Sequence, residues 1–261
     1  MKYYKTVADL VERAQRGEDV EFLLGQLGIA LDRIPVKDPY PALKRTFDSQ
    51  TRAICKRHKV SPYVIASLYA LFRDERDERI QSARVINDLH RDEAQSVTMR
   101  RFAGWQSSTP SKKPKREVIS FISEPVKELP KKERLVIADQ TRKMITNMDV
   151  IVANEAGAIG YYWHSLYRVP GYRYRESHKH LDMDGVFVIL RDSWAYQQGL
   201  IKKGNQIFSD QIERPGELPN CKCSPKYVYS MTDIPKDCLT IKGLERSEEH
   251  TSELQSHLNL V

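Results

Sequence analysis

The stretch from Trp163 to Cys223 constrains the fold more than any other, because it breaks with helical patterning and sets a polar turn directly before a buried strand. Asp182, Asp184 and Gly185 are turn residues, glycine supplying backbone conformations that side chains resist. Val186, Phe187, Val188, Ile189 and Leu190 follow without a polar break, an apolar run of strand length. The intervening segments are too short for repeated βαβ crossovers. The region is therefore predicted to be α+β, with a helix packed on a small antiparallel sheet. That helix is read from Glu133 to Gly157, where Leu135, Val136, Ile137, Met144, Ile145 and Val150 to Val152 supply the apolar positions and Gly157 ends it.

Upstream, Val7, Leu10, Val11 and Ala14 recur at helical spacing, and Val20 to Leu27 predict a second helix closed near Gly28. Leu43 to Lys59 and Pro62 to His90 continue the pattern, with Ser61 as a cap and Pro62 in the first turn. The mixed-sign run Arg73 to Arg79 reads as a solvated helical face. Arg84, His90, Arg91, Arg100 and Arg101 are read either as structural and solvated or as a binding surface, and His58, among Lys56, Arg57 and Lys59, as a surface residue. At Ser107 to Arg116 the composition turns to S-S-T-P-S-K-K-P-K-R, a cationic linker composition. The expected organisation is a helical region over residues 1–106, a basic Pro/Ser-rich linker over 107–132 and a second domain over 133–245.

The chemistry concentrates in the second domain. His178, His180, Asp182 and Asp184, two apart, would share one face of an extended segment. Cys221 and Cys223 cannot close an unstrained disulfide on an extended strand, so both are read as reduced thiols. With His178 and His180 they form a zinc-like donor inventory; the plainer reading, favoured on sequence, is small packed side chains. Arg168, Arg173, Arg175 and Lys179 are candidates for phosphate or acidic-partner contacts, since the arginine fork matches phosphate and Tyr172 and Tyr174 can stack; the plainer reading is surface charge flanking a turn.

The order of these elements resembles the phage head morphogenesis domain, the family of phage Mu F-like minor head proteins, over Glu133 to Tyr229. Ala138, Asp139 and Gln140 stand on a helix, and Glu155 to Gly157 lead to Trp163. An arginine-rich stretch then ends in a histidine five residues before a glycine, matched by His180 and Gly185. The strand, a tract at Trp194 to Gly204, P-G-E at Pro215 to Glu217, and Asn220 with the closing C-x-C at Cys221 and Cys223 complete the series. Lys222 stands where the family carries arginine, keeping the charge and losing the fork. His178 has no secure counterpart, so His180 is matched on spacing.

The resemblance implies a minor, capsid-associated head protein of a tailed bacteriophage or prophage that works by binding, without turnover. Its partners would be portal and capsid proteins and packaged DNA, and its place the virion head after assembly in the host bacterial cytoplasm. The net charge of +7 over 261 residues suits contact with a polyanion and a soluble basic surface equally. The alternative is a nuclease or nuclease-like toxin, with the histidines as acid and base, Arg173 or Arg175 stabilising developing charge, or Asp182 and Asp184 holding a divalent ion. Four cysteines without dense spacing fit a reducing compartment. No membrane partner or export signal is expected: Tyr63 to Phe72 is too short to cross a bilayer, and Asp9 and Glu12 interrupt the N-terminus. Arg246 to His257, R-S-E-E-H-T-S-E-L-Q-S-H, resembles a translated sequencing-library adapter, so residues 246–261 are set apart as an artefact, and His250 and His257 are not ligand candidates.

Overall fold

Periodic apolar positions make most of this chain helical, and the computed structural model describes residues 2–107, 114–165, 180 and 182–247. Five long helices precede a small sheet: α1 (Lys2–Gln15), α2 (Val20–Asp32), α3 (Tyr40–His58), α4 (Pro62–Ser107) and α5 (Lys115–Glu155). The chain divides into two compact units, Met1–Leu43 with Glu78–Gln140 and Lys44–Asp77 with Thr141–Val261. No helix among the described residues is long and apolar enough to cross a membrane.

In the first unit, Val7, Leu10 and Val11 of α1 pack with Leu23, Leu27 and Leu31 of α2 and with Phe102, Ile119 and Ile122. Asp19 caps α2 by accepting from the Phe22 amide at 2.8 Å, which satisfies one of the orphan donors at a helix start. The expected closure of α2 near Gly28 does not occur. Leu27 and Leu31 lie one turn apart on the buried face, so packing carries the helix on to Asp32.

The expected linker over 107–132 is largely helix. Residues 108–113 lie outside the described residues, but α5 starts at Lys115 and runs through Pro125 and Pro130. Each interior proline removes an amide donor and costs roughly 3 kcal/mol. Ile122, Val126 and Leu129 lie along one buried stripe at i, i+4 and i+7, and fully burying such side chains contributes about 1.5–3 kcal/mol each. Val118 and Ile119 of α5 are buried in the same core, and five such side chains contribute roughly 7.5–15 kcal/mol against about 6 kcal/mol for two prolines. Three of the five cationic candidates of α4 are spent on ion pairs: Arg84 with Asp38, Arg91 with Asp88 and Asp92, and Arg101 with Glu124.

In the second unit, Phe47 and Ile54 of α3, Ile65 and Phe72 of α4, and Met144, Met148 and Val152 of α5 form one apolar cluster. Gly157, at φ 74°, ends the α5 run as expected, its amide bonding the Asn154 carbonyl at 3.1 Å. A four-stranded sheet follows: β1 (Gly160–His164), β2 (Phe187–Ile189), β3 (Ile207–Phe208) and β4 (Ser224–Val228), in the order β3-β2-β1-β4. The fold class is α+β, and the sheet is mixed where it was expected to be antiparallel throughout. β1 pairs antiparallel with β2 and β4, whereas β3 is parallel to β2. Residues 190–206, which include the short helix α6 (Trp194–Gln197), are long enough to cross over and return the chain in the same direction.

Period-two alternation gives each face of the sheet its own core. Phe187, Ile189 and Val228 join Ala195, Leu200 and Phe208 on one face. Tyr161, Trp163 and Val188 join Cys221 and Cys223 on the other. Gly160 is required at its place, because a Cβ there would stand 2.4 Å from the Val188 carbonyl oxygen and 2.7 Å from the Phe187 ring.

His58 is buried, against the surface position read from its basic neighbours. Its Nε2 lies 3.0 Å from Asp149 Oδ1 and its Nδ1 2.5 Å from the Tyr229 hydroxyl. Arg57 also reaches Asp149, at 2.9 Å. Burial pushes the Tyr229 phenol up to about 12, so it stays protonated and donates to Nδ1, while Nε2–H donates to the carboxylate. His58 thus ties α3 to α5 and to the residue just beyond β4. His58→Ala is expected to destabilise the chain by about 1–3 kcal/mol, because it strips the half-buried Asp149 carboxylate and Tyr229 phenol of one partner each; a denaturation midpoint unchanged from the wild type would contradict this.

Candidate metal centre

Three segments deliver the site. β1 carries Trp163 inward and ends beside Ser165, whose amide donates to Asp184 Oδ1 at 2.8 Å. Residues 182–185 form a turn: Gly185, at φ 81°, donates to the Trp163 carbonyl at 2.8 Å, and Val186 donates to the Met183 carbonyl at 3.0 Å. This turn sets His180 over the Trp163 ring, with centroids 5.0 Å apart edge to face. The third segment enters through Gly216 and Asn220, both at positive φ, 84° and 60°. A Cβ on Gly216 would meet Thr146 Oγ1 of α5 at 2.9 Å, so only glycine lets this loop lie against the helix. Cys221 and Cys223, two apart, then face inward together.

His180 Nδ1 lies 3.3 Å from Cys221 Sγ and 3.5 Å from Cys223 Sγ. The three donor atoms lie within 4.8 Å of one another, and all three residues are buried. Both cysteines are free. Ser165 Oγ stands 3.8 Å from Cys223 Sγ, and Arg142 of α5 donates to the Cys221 carbonyl at 3.2 Å.

The two thiols are electrostatically unequal. Cys223 is held well below the usual thiol range, chiefly by a hydrogen bond from the Cys221 thiol against the opposing effect of burial. Cys221 is pushed up by the same bond, in which it is the donor, and by burial. The Trp163 indole N–H, buried and short of full bonding geometry to any acceptor among the described residues, still lies close enough to favour the anionic form of Cys223. Cys223 is thus the thiol of the pair that ionises more readily. Two sulfurs and one imidazole at this spacing can hold a soft or borderline metal ion, leaving one tetrahedral position for a further ligand.

The arrangement gathers some predicted residues and disperses others. Trp163, His180, Cys221 and Cys223 come together, and Gly185 and Asn220 shape the turns that deliver them. Of the expected one-sided row, His178 lies outside the described residues, and the other three members do not share a face: His180 is buried, Asp182 is exposed and Asp184 accepts from the Ser165 amide, because the turn at 182–185 breaks the extended geometry that the row requires. Arg168, Arg173, Arg175, His178 and Lys179 lie outside the described residues. Asp139 and Gln140 lie on α5 in the first unit, with Gln140 buried. The buried His58 was missed because its three basic neighbours signalled surface.

No known family model, curated protein or solved structure matches the chain.

Trp163 roofs the cluster, so Trp163→Ala is expected to cost about 3–5 kcal/mol of stability through the cavity it leaves. Thermal and denaturant unfolding measure this, and a loss below about 1 kcal/mol would show that the indole is not part of the packed core.

Proposed function

We propose that the chain is a minor, capsid-associated head protein of a tailed bacteriophage or prophage, acting by binding near the portal during head morphogenesis, and that His180, Cys221 and Cys223 hold a zinc ion that shapes its C-terminal unit. The observation that carries this reading is convergence. Trp163, His180, Cys221 and Cys223, which carry the resemblance to the Mu F-like family and are scattered over sixty residues of sequence, meet in one buried cluster.

The character of the cluster favours building over turnover. Its donors are buried at the base of a sheet, and a catalytic histidine must reach the proton it moves in a bound substrate. His180 instead faces two sulfurs and a tryptophan. Zinc fits the donor set: two thiolates neutralise a divalent cation where an uncompensated charge would be costly, and the indole, hydroxyl and Arg142 contacts orient the ligands. When bound, the ion would cross-link β1, the 182–185 turn and the Cys221–Cys223 loop. The overall positive charge is compatible with contact to packaged DNA.

Two measurements test the reading separately. Co-expressed with a portal protein from the same phage or prophage genome, the chain is expected to co-purify with portal rings. DNA or RNA cleavage lost in His180→Ala would replace this reading with the nuclease one. Protein purified without an affinity tag is expected to carry about one zinc per chain by elemental analysis, and the Cys221→Ser/Cys223→Ser double variant to carry almost none and unfold at lower temperature. Metal content near zero in the wild type would remove zinc from the account.

A further inference from the structure

The cations of α3 are sorted by face. At about 100° of turn per residue, Arg45, Arg52 and Lys56 project within an arc of about 40°, and Lys59, just past the helix end at φ 54°, continues their row. All four are exposed, and none joins an ion pair among the described residues. Arg52 holds the Asp48 carbonyl with its Nε at 3.3 Å, which leaves its paired terminal nitrogens for another acceptor. The cations off the row are matched instead, Lys44 with Asp48 at 2.7 Å and Arg57 with Asp149 at 2.9 Å. The helix dipole favours Lys56 and Lys59 near the C-terminal end but fades within one turn, so it accounts for neither Arg45 nor Arg52. Arg52 and Lys56, four apart, repel one another. An uncompensated positive row is thus built into one exposed face, and an anionic partner relieves its cost.

The rest of α3 narrows what that partner is. Phe47 and Ile54 on its other side are buried in the apolar cluster with α4 and α5, and His58 is tied to Asp149 and Tyr229. The row therefore stands on a fixed backbone, and the helix has no free apolar face to lay into a lipid surface. Between the cations the row presents Ser49. It carries no aromatic platform for unpaired bases and no apolar anchor of the kind that centres a protein interface. A regular line of phosphates fits it. Arg45 to Lys56 spans about 16 Å of helix, a length over which one strand of a duplex presents about five phosphates, and both the guanidinium fork and the ammonium group bind phosphate oxygens. We propose that this row on α3 binds the phosphate backbone of double-stranded DNA without reading base sequence. The proposal rests on the head-protein reading only for the choice of DNA as the polyanion.

Fluorescence anisotropy of two labelled duplexes of unrelated sequence, titrated with the purified full chain between about 50 and 200 mM salt, tests this. Both duplexes are expected to bind alike, with affinity falling as salt rises. The Arg52→Gln/Lys56→Gln variant is expected to weaken binding about tenfold at the lowest salt and to flatten the slope of log affinity against log salt by about 2. Arg45→Gln/Lys59→Gln, at the two ends of the row, should repeat the loss. Lys202→Gln/Lys242→Gln removes the same charge from exposed lysines of other elements and is expected to change both quantities far less. Since all these side chains are exposed, melting temperatures should match the wild type. No binding by the wild-type chain at the lowest salt, equal losses in the α3 and control variants, or a marked preference between the duplexes would overturn the proposal. Portal co-purification is expected to survive in the α3 variants. Portal binding without DNA binding in the wild type would overturn this proposal alone and leave the head-protein reading standing. Loss of portal with DNA affinity intact in the α3 variants would overturn it in favour of an acidic protein partner.

Discussion

The contact between His180 and the paired thiols of Cys221 and Cys223 is the constraint around which the C-terminal unit is arranged. Polar groups are costly to bury unless they are satisfied, and here three of them share a buried cluster packed with Trp163. Everything nearby serves to bring them there. Gly185 turns the chain beneath Trp163, Gly216 lets the preceding loop lie against α5, and Asn220 takes a left-handed conformation so that both cysteines face in. The two sulfurs are unequal, one lowered and one raised by a shared hydrogen bond.

The sheet makes this possible because it is covered on both sides. β1 alternates between a face shared with Phe187, Ile189 and Val228 and a face shared with the cysteines. A single strand therefore anchors an ordinary apolar core and a polar one at once. α5 reinforces the polar side through Arg142 on the Cys221 carbonyl and Thr146 against Gly216. His58 does the same for the α3 side by joining Asp149 to Tyr229.

Much of this was legible in the residues because local chemistry and tertiary structure agree there. Pro62 opens α4, Gly157 closes the run of α5, and the unbroken apolar stretch after Gly185 becomes β2. The C-x-C pair and His180 were legible as a donor set because their spacing limits what they can do. Reading failed where long-range packing overrides local preference. Pro125, Pro130 and the basic composition before them pointed to a linker, yet the buried stripe through Ile122, Val126 and Leu129 makes helix. His58 has the neighbours of a surface residue and the contacts of a core one. The parallel pairing of β3 depends on a single crossover that no local pattern announces.

X-ray absorption at the zinc edge, on protein purified without a tag, addresses the central claim most directly, because it reads the atoms around the ion. The account predicts a four-coordinate shell with two sulfur atoms at about 2.3 Å and a nitrogen at about 2.0 Å. A shell of nitrogen and oxygen alone would contradict it, since the ion would then lie away from Cys221 and Cys223.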